Sequence, residues 1–153
     1  MTNKKVIILS GTSGSGKSTL ASKLAKENNG IICSTDNFFM VNGEYKFDIK
    51  FISEAHQWCY GQFCLEIFLG QQYIILDNTN LEDWNLFKYC ETLFKFGYDF
   101  EIIEPKTKWR YDPVQCSLKN SHGVPQSTIE KMLAKKQDIK EMDKELRKKF
   151  QPK

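Results

Sequence analysis

The stretch Gly11-Thr12-Ser13-Gly14-Ser15-Gly16-Lys17-Ser18, followed by Thr19, has the spacing Gly, four residues, Gly-Lys-Ser of a phosphate-binding loop. Glycines let successive backbone N–H groups turn toward one point, which makes a concavity for an anion. A helix begun there adds unpaired N–H groups and the positive end of its dipole. In that chemistry residues Gly11 to Thr19 hold the phosphates of a nucleotide. Lys17 reaches the β- and γ-phosphates, and the Ser18 hydroxyl holds Mg²⁺. Two acids complete a phosphoryl-transfer set. Asp36 follows the apolar run Ile31-Ile32-Cys33, and Asp77 closes Tyr73-Ile74-Ile75-Leu76. One carboxylate serves the metal, and another orients or deprotonates the attacking hydroxyl. Asp77 fits the first role and Asp36 the second. Each also has a plain structural alternative: a turn at a strand end, or for Asp77-Asn78-Thr79-Asn80 a cap on the next helix.

Charge developing on a transferred phosphoryl group calls for a cation from an element that can close. The chain has two arginines, Arg110 and Arg147. Arg110 lies in a polar stretch, about residues 106–124, with Lys106, Lys108, Lys119 and His122. That stretch reads as a lid whose short helix, Val114 to Asn120, starts at Asp112-Pro113. Lys119 and Arg110 are its candidate catalytic cations; the alternative is a solvated loop.

The elements that must position these groups follow from periodicity. Val6-Ile7-Ile8-Leu9 is continuously apolar, the pattern of a strand buried on both faces. A helix follows from about Gly16 to Glu27 and stops at Asn28-Asn29-Gly30. Ile31 to Ser34 forms the second strand. Ile52, Ala55, Cys59, Phe63 and Ile67 recur at helical spacing between Ile49 and Leu69. Tyr73 to Asp77 is the third strand, Leu81 to Phe96 a helix, and Tyr98 to Ile103 a fourth strand ended before Pro105. A final helix over about 125–150 carries Ile129, Met132, Leu133, Ile139, Met142, Leu146 and Phe150 as its buried stripe. Alternating strands and helices imply an α/β fold with a parallel sheet and right-handed crossovers. Ligands of such sheets sit at the carboxyl ends of the strands. Gly11, Asp36, Asp77 and the segment after Pro105 all fall there.

The chain of 153 residues, 41% hydrophobic and 27% charged, has the composition of one soluble domain, residues 1–153. No run nears the roughly 20 apolar residues of a membrane span, so no membrane partner is expected. The four apolar residues after Lys5 are too few for a signal peptide. The setting expected is therefore intracellular and cytoplasmic, with the nucleus left open. Net charge is only +3, which by itself announces no nucleic-acid binder. Residues 131–153 hold eight Lys and one Arg against four acids, a local excess that suits either a solvated helix or a phosphate-backbone contact. Cys33, Cys59, Cys64, Cys90 and Cys116 include no pair at metal or redox spacing, and they read as buried hydrophobes in a reducing compartment.

The segments GTSGSGKSTLA, STDNFF, AHQW, IILDNTNLEDW, EPKTKWRYDP and LKNSHGVPQSTIEKM resemble the P-loop kinase domain of the Nedd-four-binding-protein-two family. That group is similar in turn to the 5′-hydroxyl polynucleotide kinase domain of T-even phages. The resemblance covers Val6 to about Met142. It implies a P-loop NTPase fold of kinase type: a mainly parallel four-stranded sheet of order 2-3-1-4, flanked by helices, with a helical lid. It also implies transfer of the ATP γ-phosphate to a polynucleotide 5′-hydroxyl with Mg²⁺. Asp36 is then the general base, Thr79 and Asn80 lie at the substrate, and the lid carries a cation. Three positions depart from that pattern. Asn37 stands where relatives commonly have a second Asp, Lys119 where an Arg is expected, and Phe39 where the phage enzyme has a basic residue. Phe38, Phe39, Trp58, Trp109 and Tyr111 are candidates for a base-stacking surface; the alternative places them in the core or at lid anchors. The function expected is an ATP-dependent 5′-hydroxyl kinase acting on RNA or DNA ends. A kinase of a small hydroxylated metabolite on the same scaffold, or an ATP-binding module with little catalysis, are the alternatives.

Overall fold

The computed structural model describes residues 3–153. β1 (Lys5–Leu9) leads through the glycine loop into α1 (Lys17–Asn28), and β2 (Ile31–Cys33) follows. A 3₁₀ turn (Thr35–Phe39) then runs into a small antiparallel hairpin, β3 (Met40–Val41) and β4 (Glu44–Tyr45). Asn42 and Gly43 at its tip have φ of 51° and 83°, the paired left-handed residues of a tight hairpin turn. α2 (Ile52–Phe68), β5 (Tyr73–Asp77), α3 (Phe87–Lys95) and β6 (Asp99–Ile103) complete the body. Three helices close the chain: α4 (Pro113–Lys119), α5 (Gln126–Lys135) and α6 (Ile139–Phe150).

The main sheet has the order β2-β5-β1-β6, parallel throughout. Counting only its own four strands, that is 2-3-1-4. β1 lies at the centre because Val6, Ile7, Ile8 and Leu9 are all buried, which only a strand covered on both faces allows. Successive side chains point to opposite faces. Val6 and Ile8 meet the large core against α2, α3 and α6 with Phe63, Leu93, Phe100, Met142 and Leu146. Ile7 and Leu9 meet a thinner layer supplied by α1. Leu9 pairs in register with Asp77 and with Ile103, so the phosphate loop, Asp77 and the lid root leave the sheet side by side.

β6 is an edge strand, with Phe100 and Ile102 buried and Asp99 and Glu101 exposed. Arg147 of α6 ties it down by donating to Asp99 at 2.9 Å, to the Phe100 carbonyl at 2.7 Å and to Asp143 at 2.8 Å. Burial pushes the Cys33 and Cys90 thiols up to about 12, as expected of cysteines acting as small hydrophobes. Among the described residues, no helix is long and apolar enough to cross a membrane.

Two helices differ most from the sequence reading. The helix expected over about 125–150 is two. Asp138 accepts from the Lys140 and Glu141 N–H groups and caps the start of α6, while Lys136 and Asp138 are extended. The Gln137 N–H donates to the Leu81 carbonyl at 2.8 Å, and its side chain bonds the Asp83 N–H. The break thus pins the chain to the loop after β5. The helix expected from Leu81 to Phe96 begins instead with a 3₁₀ turn, Asp83–Leu86, closed by a capping box between Glu82 and Asn85; the α-helix proper starts at Phe87.

Candidate phosphoryl-transfer site

The phosphate loop takes its shape from residues distant in sequence. Gly14 and Gly16 have φ of 79° and 109°, conformations that side chains resist. A Cβ on Gly14 would lie 2.1 Å from the Cys116 carbonyl oxygen, and one on Gly16 would lie 2.9 Å from Thr107 Cγ2. The Gly14 carbonyl accepts from Trp109 Nε1 at 3.0 Å, and the Ser15 carbonyl accepts from Thr107 Oγ1 at 2.8 Å. The Thr12 hydroxyl donates to Cys116 Sγ at 3.6 Å. The root of the lid therefore engages these loop carbonyls, which would otherwise compete with an anion for the N–H groups. On the other side, the Gly11 N–H donates to the Thr79 carbonyl at 2.9 Å. Ser10 Oγ donates to the Asn80 carbonyl, and Asn80 Nδ2 to the Leu9 carbonyl, both at 2.8 Å.

Lys17 Nζ donates to the Thr12 carbonyl at 2.9 Å. Burial pushes its amine below the usual lysine range, opposed by Asp77 and Asp36. Burial pushes the Asp77 carboxyl up; Lys17 opposes this, Asp36 reinforces it, and a hydrogen bond from Ser18 lowers it. Lys17 suits a phosphate ligand. An oxyanion is a stronger acceptor for Lys17 than a neutral carbonyl. The buried Ser15 hydroxyl has no partner and lies within the cradle. Ser18 and Asp77, side by side, are the pair that would hold a cation. Among the described residues no three His, Cys, Asp or Glu side chains converge on a metal position. Mg²⁺ takes one or two protein ligands and completes its shell with phosphate oxygens and water.

A cavity of about 710 Å³ opens from this loop. Asp36 lines it from the turn after β2, and two residues meet its carboxylate. Tyr45 of β4 donates its hydroxyl to Oδ1 at 3.2 Å, and His122 of the lid brings Nε2 to 3.8 Å from Oδ2. The Tyr45 and His122 rings touch edge to face with centroids 3.9 Å apart. Burial and the Asp36 carboxylate together push the Tyr45 phenol up, so it remains a donor at neutral pH. His56 of α2 also lines the cavity and shares a 3.4 Å contact with the Thr35 hydroxyl. Burial and Lys88 push its imidazole down. From the lid, Lys119 lies with Nζ 4.3 Å from the Trp109 ring centroid, over the indole that bonds Gly14. Asn120 ties the loop after α4 together. Its Nδ2 donates to the carbonyls of Cys116, Ser117 and Val124, and its Oδ1 accepts from the N–H groups of His122 and Val124.

Residues 6–138 match a family model described as an AAA domain. The chain belongs to that family. Within it the chain is P-loop kinase-like. It is 39% identical over 129 residues to NEDD4-binding protein 2 of Homo sapiens, covering 84% of this chain and 7% of that protein. It is 30% identical over 134 residues to 2′,3′-cyclic-nucleotide 3′-phosphodiesterase of Rattus norvegicus, covering 84% of this chain and 30% of that protein. The chain thus spans less than a third of the curated relatives it matches. Among solved structures, a chain of the Pnkp1/Rnl/Hen1 RNA repair complex aligns with TM-score 0.66 at 20% identity, over 98% of this chain and 47% of that one. A gluconokinase from Sinorhizobium meliloti 1021 aligns with TM-score 0.57 at 15% identity, over 95% and 91%. The fold is shared with P-loop kinases, and the family implies ATP, usually with Mg²⁺.

In this AAA domain, Gly14, Gly16, Lys17, Ser18, Thr19, Asp36, Asp77, Thr79 and Lys119 come together around one cavity. Ser13 lines it too; Gly11, Thr12 and Ser15 belong to the loop but not to the cavity lining, and three further expected site residues also stand outside it. Phe39 is 3% exposed and packs against Phe38, Tyr45 and Phe47; an apolar ring beneath a hairpin stays out of water. Asn80 is 5% exposed, with φ of 42°, and its polar groups are used stitching β1 to the loop after β5. Arg110 faces away: Nη1 donates to the Thr107 carbonyl at 2.8 Å, and the guanidinium stacks over Tyr111 at 4.7 Å. It therefore does not line the cavity that Lys119 lines. Tyr45, His56 and Asn78 line the site without having been expected there. Asn78 accepts from the Thr35 N–H at 2.9 Å and so sets the turn that carries Asp36. No local pattern marks Tyr45; His56 lies in the segment AHQW that carries the resemblance, with no role read for it. His122 is read as a lid histidine and lies in the segment LKNSHGVPQSTIEKM that carries the resemblance.

Proposed function

We propose that the chain is an ATP-dependent kinase that transfers the γ-phosphoryl group to the 5′-hydroxyl of a polynucleotide end. The observation that carries this is Asp36, a carboxylate set across one cavity from the phosphate loop and bonded by Tyr45. Bound ATP·Mg²⁺ supplies the electrophilic phosphorus and ADP as leaving group. Residues Gly11 to Thr19 cradle its phosphates, with Ser18 and Asp77 toward the metal. Lys17 and Lys119 place positive charge against the transferring oxygens. Asp36 orients the acceptor hydroxyl and takes its proton as the new P–O bond forms. Tyr45 occupies Oδ1 as a donor, which leaves Oδ2, the oxygen near His122, for the acceptor.

The test is Asp36→Asn, which keeps shape and hydrogen bonding but cannot take a proton. ATP·Mg²⁺ affinity by calorimetry should stay within about twofold. Single-turnover transfer to 5′-OH RNA or DNA should fall by ~10²-fold or more. Full-rate transfer by the variant would remove Asp36 as base. The likeness to the gluconokinase favours a second reading, a kinase of a small polyol. Transfer to a sugar panel and not to oligonucleotides would select it. ATP binding with no transfer to either acceptor would leave a nucleotide-binding module.

A further inference from the structure

Building on the polynucleotide reading, we propose that the acceptor's terminal nucleoside is held by its base lying flat on Phe47, and that this ring sets acceptor specificity. Phe47 is 50% exposed and lines the cavity. Its ring lies 16° from parallel with Tyr45, with centroids 6.4 Å apart, and the Tyr45 hydroxyl bonds Asp36 at 3.2 Å. Carboxylate, phenol and phenyl thus follow one another outward along one wall. Phe39 fixes both rings from below, its centroid 5.0 Å from Phe47 and 6.2 Å from Tyr45. Both rings are thus backed by a buried side chain. Ile49 and Ile52 extend the lining.

The charge around the cavity narrows the ligand. Lys17 and Lys119 are the only Lys or Arg side chains lining it among the described residues, and both stand at the phosphate loop. A sugar acid would find no Lys or Arg for its carboxylate on the aromatic wall. A polyol would lay hydroxyls against hydrocarbon, where unmade hydrogen bonds are costly. A nucleobase instead offers a π-face common to all four bases, so stacking is strong and tolerant of sequence.

The experiment uses two 5′-OH oligonucleotides that differ only at the terminal residue, one with its base and one abasic. Phe47→Ala should raise the KM of the normal acceptor by roughly 5- to 150-fold, the range of one lost base–aromatic stack, without moving the KM for ATP. On the abasic acceptor, which already lacks the stack, the same substitution should change KM by less than about twofold. Phe47→Trp should restore binding of the normal acceptor. Phe47→Leu serves the same comparison if the alanine variant melts early. Equal effects on both acceptors, or none on either, while the native protein phosphorylates the oligonucleotide, would overturn the role of Phe47 and leave the kinase reading standing. No transfer to any oligonucleotide by the folded, ATP-binding protein would overturn both.

Discussion

Gly14→Ala tests the contact between the phosphate loop and the lid root without reference to any substrate. Two costs add at this position. The left-handed φ of 79° costs a side-chain-bearing residue ~1–2 kcal/mol. The new methyl also meets the Cys116 carbonyl oxygen at 2.1 Å, its carbon at 2.8 Å and Cys116 Cα at 3.0 Å. These are backbone atoms in α4 and cannot swing aside as a side-chain tip could. Overpacking of that kind adds ~1–3 kcal/mol. Gly43 supplies the control, since it has φ of 83° and nothing within 4 Å of an added Cβ. Gly43→Ala should therefore carry the first cost alone. At this chain length each kcal/mol moves Tm by ~2–4 °C, so the Gly14 variant should melt roughly 2–12 °C below the Gly43 variant. Thermal unfolding followed by circular dichroism reads the difference. Equal Tm shifts in the two variants would falsify the packing of α4 on the loop.

Lys119→Ala should lower single-turnover transfer while nucleotide affinity changes little, and Lys119→Arg should keep or raise the rate, because the guanidinium adds donors at the same place. Trp109→Leu removes both the ring under Lys119 and the bond to Gly14, so it should reduce transfer and Tm together; a full rate in Lys119→Ala would take the lid cation out of the mechanism. Arg147→Met should cost ~1–2 kcal/mol in urea denaturation at pH 7, a figure reduced for the partial exposure of the cluster. Part of that loss is pH-dependent. Burial pushes the Asp99 carboxyl up, but hydrogen bonds from Arg147 and the Phe100 N–H pull it further down, to below its ordinary 3.8. A folded value below the unfolded one stabilises fully above about pH 4 and is lost as pH falls through the folded value. The gap between native protein and variant should therefore narrow below about pH 3.8; a gap constant from pH 7 to pH 2 would mean that Asp99 is not the partner.

The sheet was legible because its signals are local. Continuous apolar runs mark the strands, and the loop after β1 has a spacing that few other structures need. Asp36 and Asp77 could be placed because both follow such runs. Tyr45 escaped notice because it reaches Asp36 only through the hairpin turn at Asn42-Gly43, and two-residue strands leave no periodicity. Phe39 and Asn80 were read by motif position, yet their burial is decided by what packs over them. The break at Lys136–Asp138 had a signal in the sequence. Asp138 with Glu141 three residues later has the form of a helix start. Arg110 could not be placed, because the direction of a long side chain depends on Tyr111 and Thr107 together.

The five hydrogen bonds made by the Asn120 side chain bear on what closing over a substrate costs. Ordering a residue's backbone takes ~1–2 kcal/mol of conformational entropy. A floppy segment over 120–124 would ask ~5–10 kcal/mol of each binding event, enough to weaken affinity by several powers of ten. Here the amide of one side chain has already set the course of that segment during folding. The protein meets its ligands with His122 presented, and the free energy of contact is not drained into shaping the chain. Loss of the Asn120 amide would be felt first as weaker binding and only second as slower chemistry.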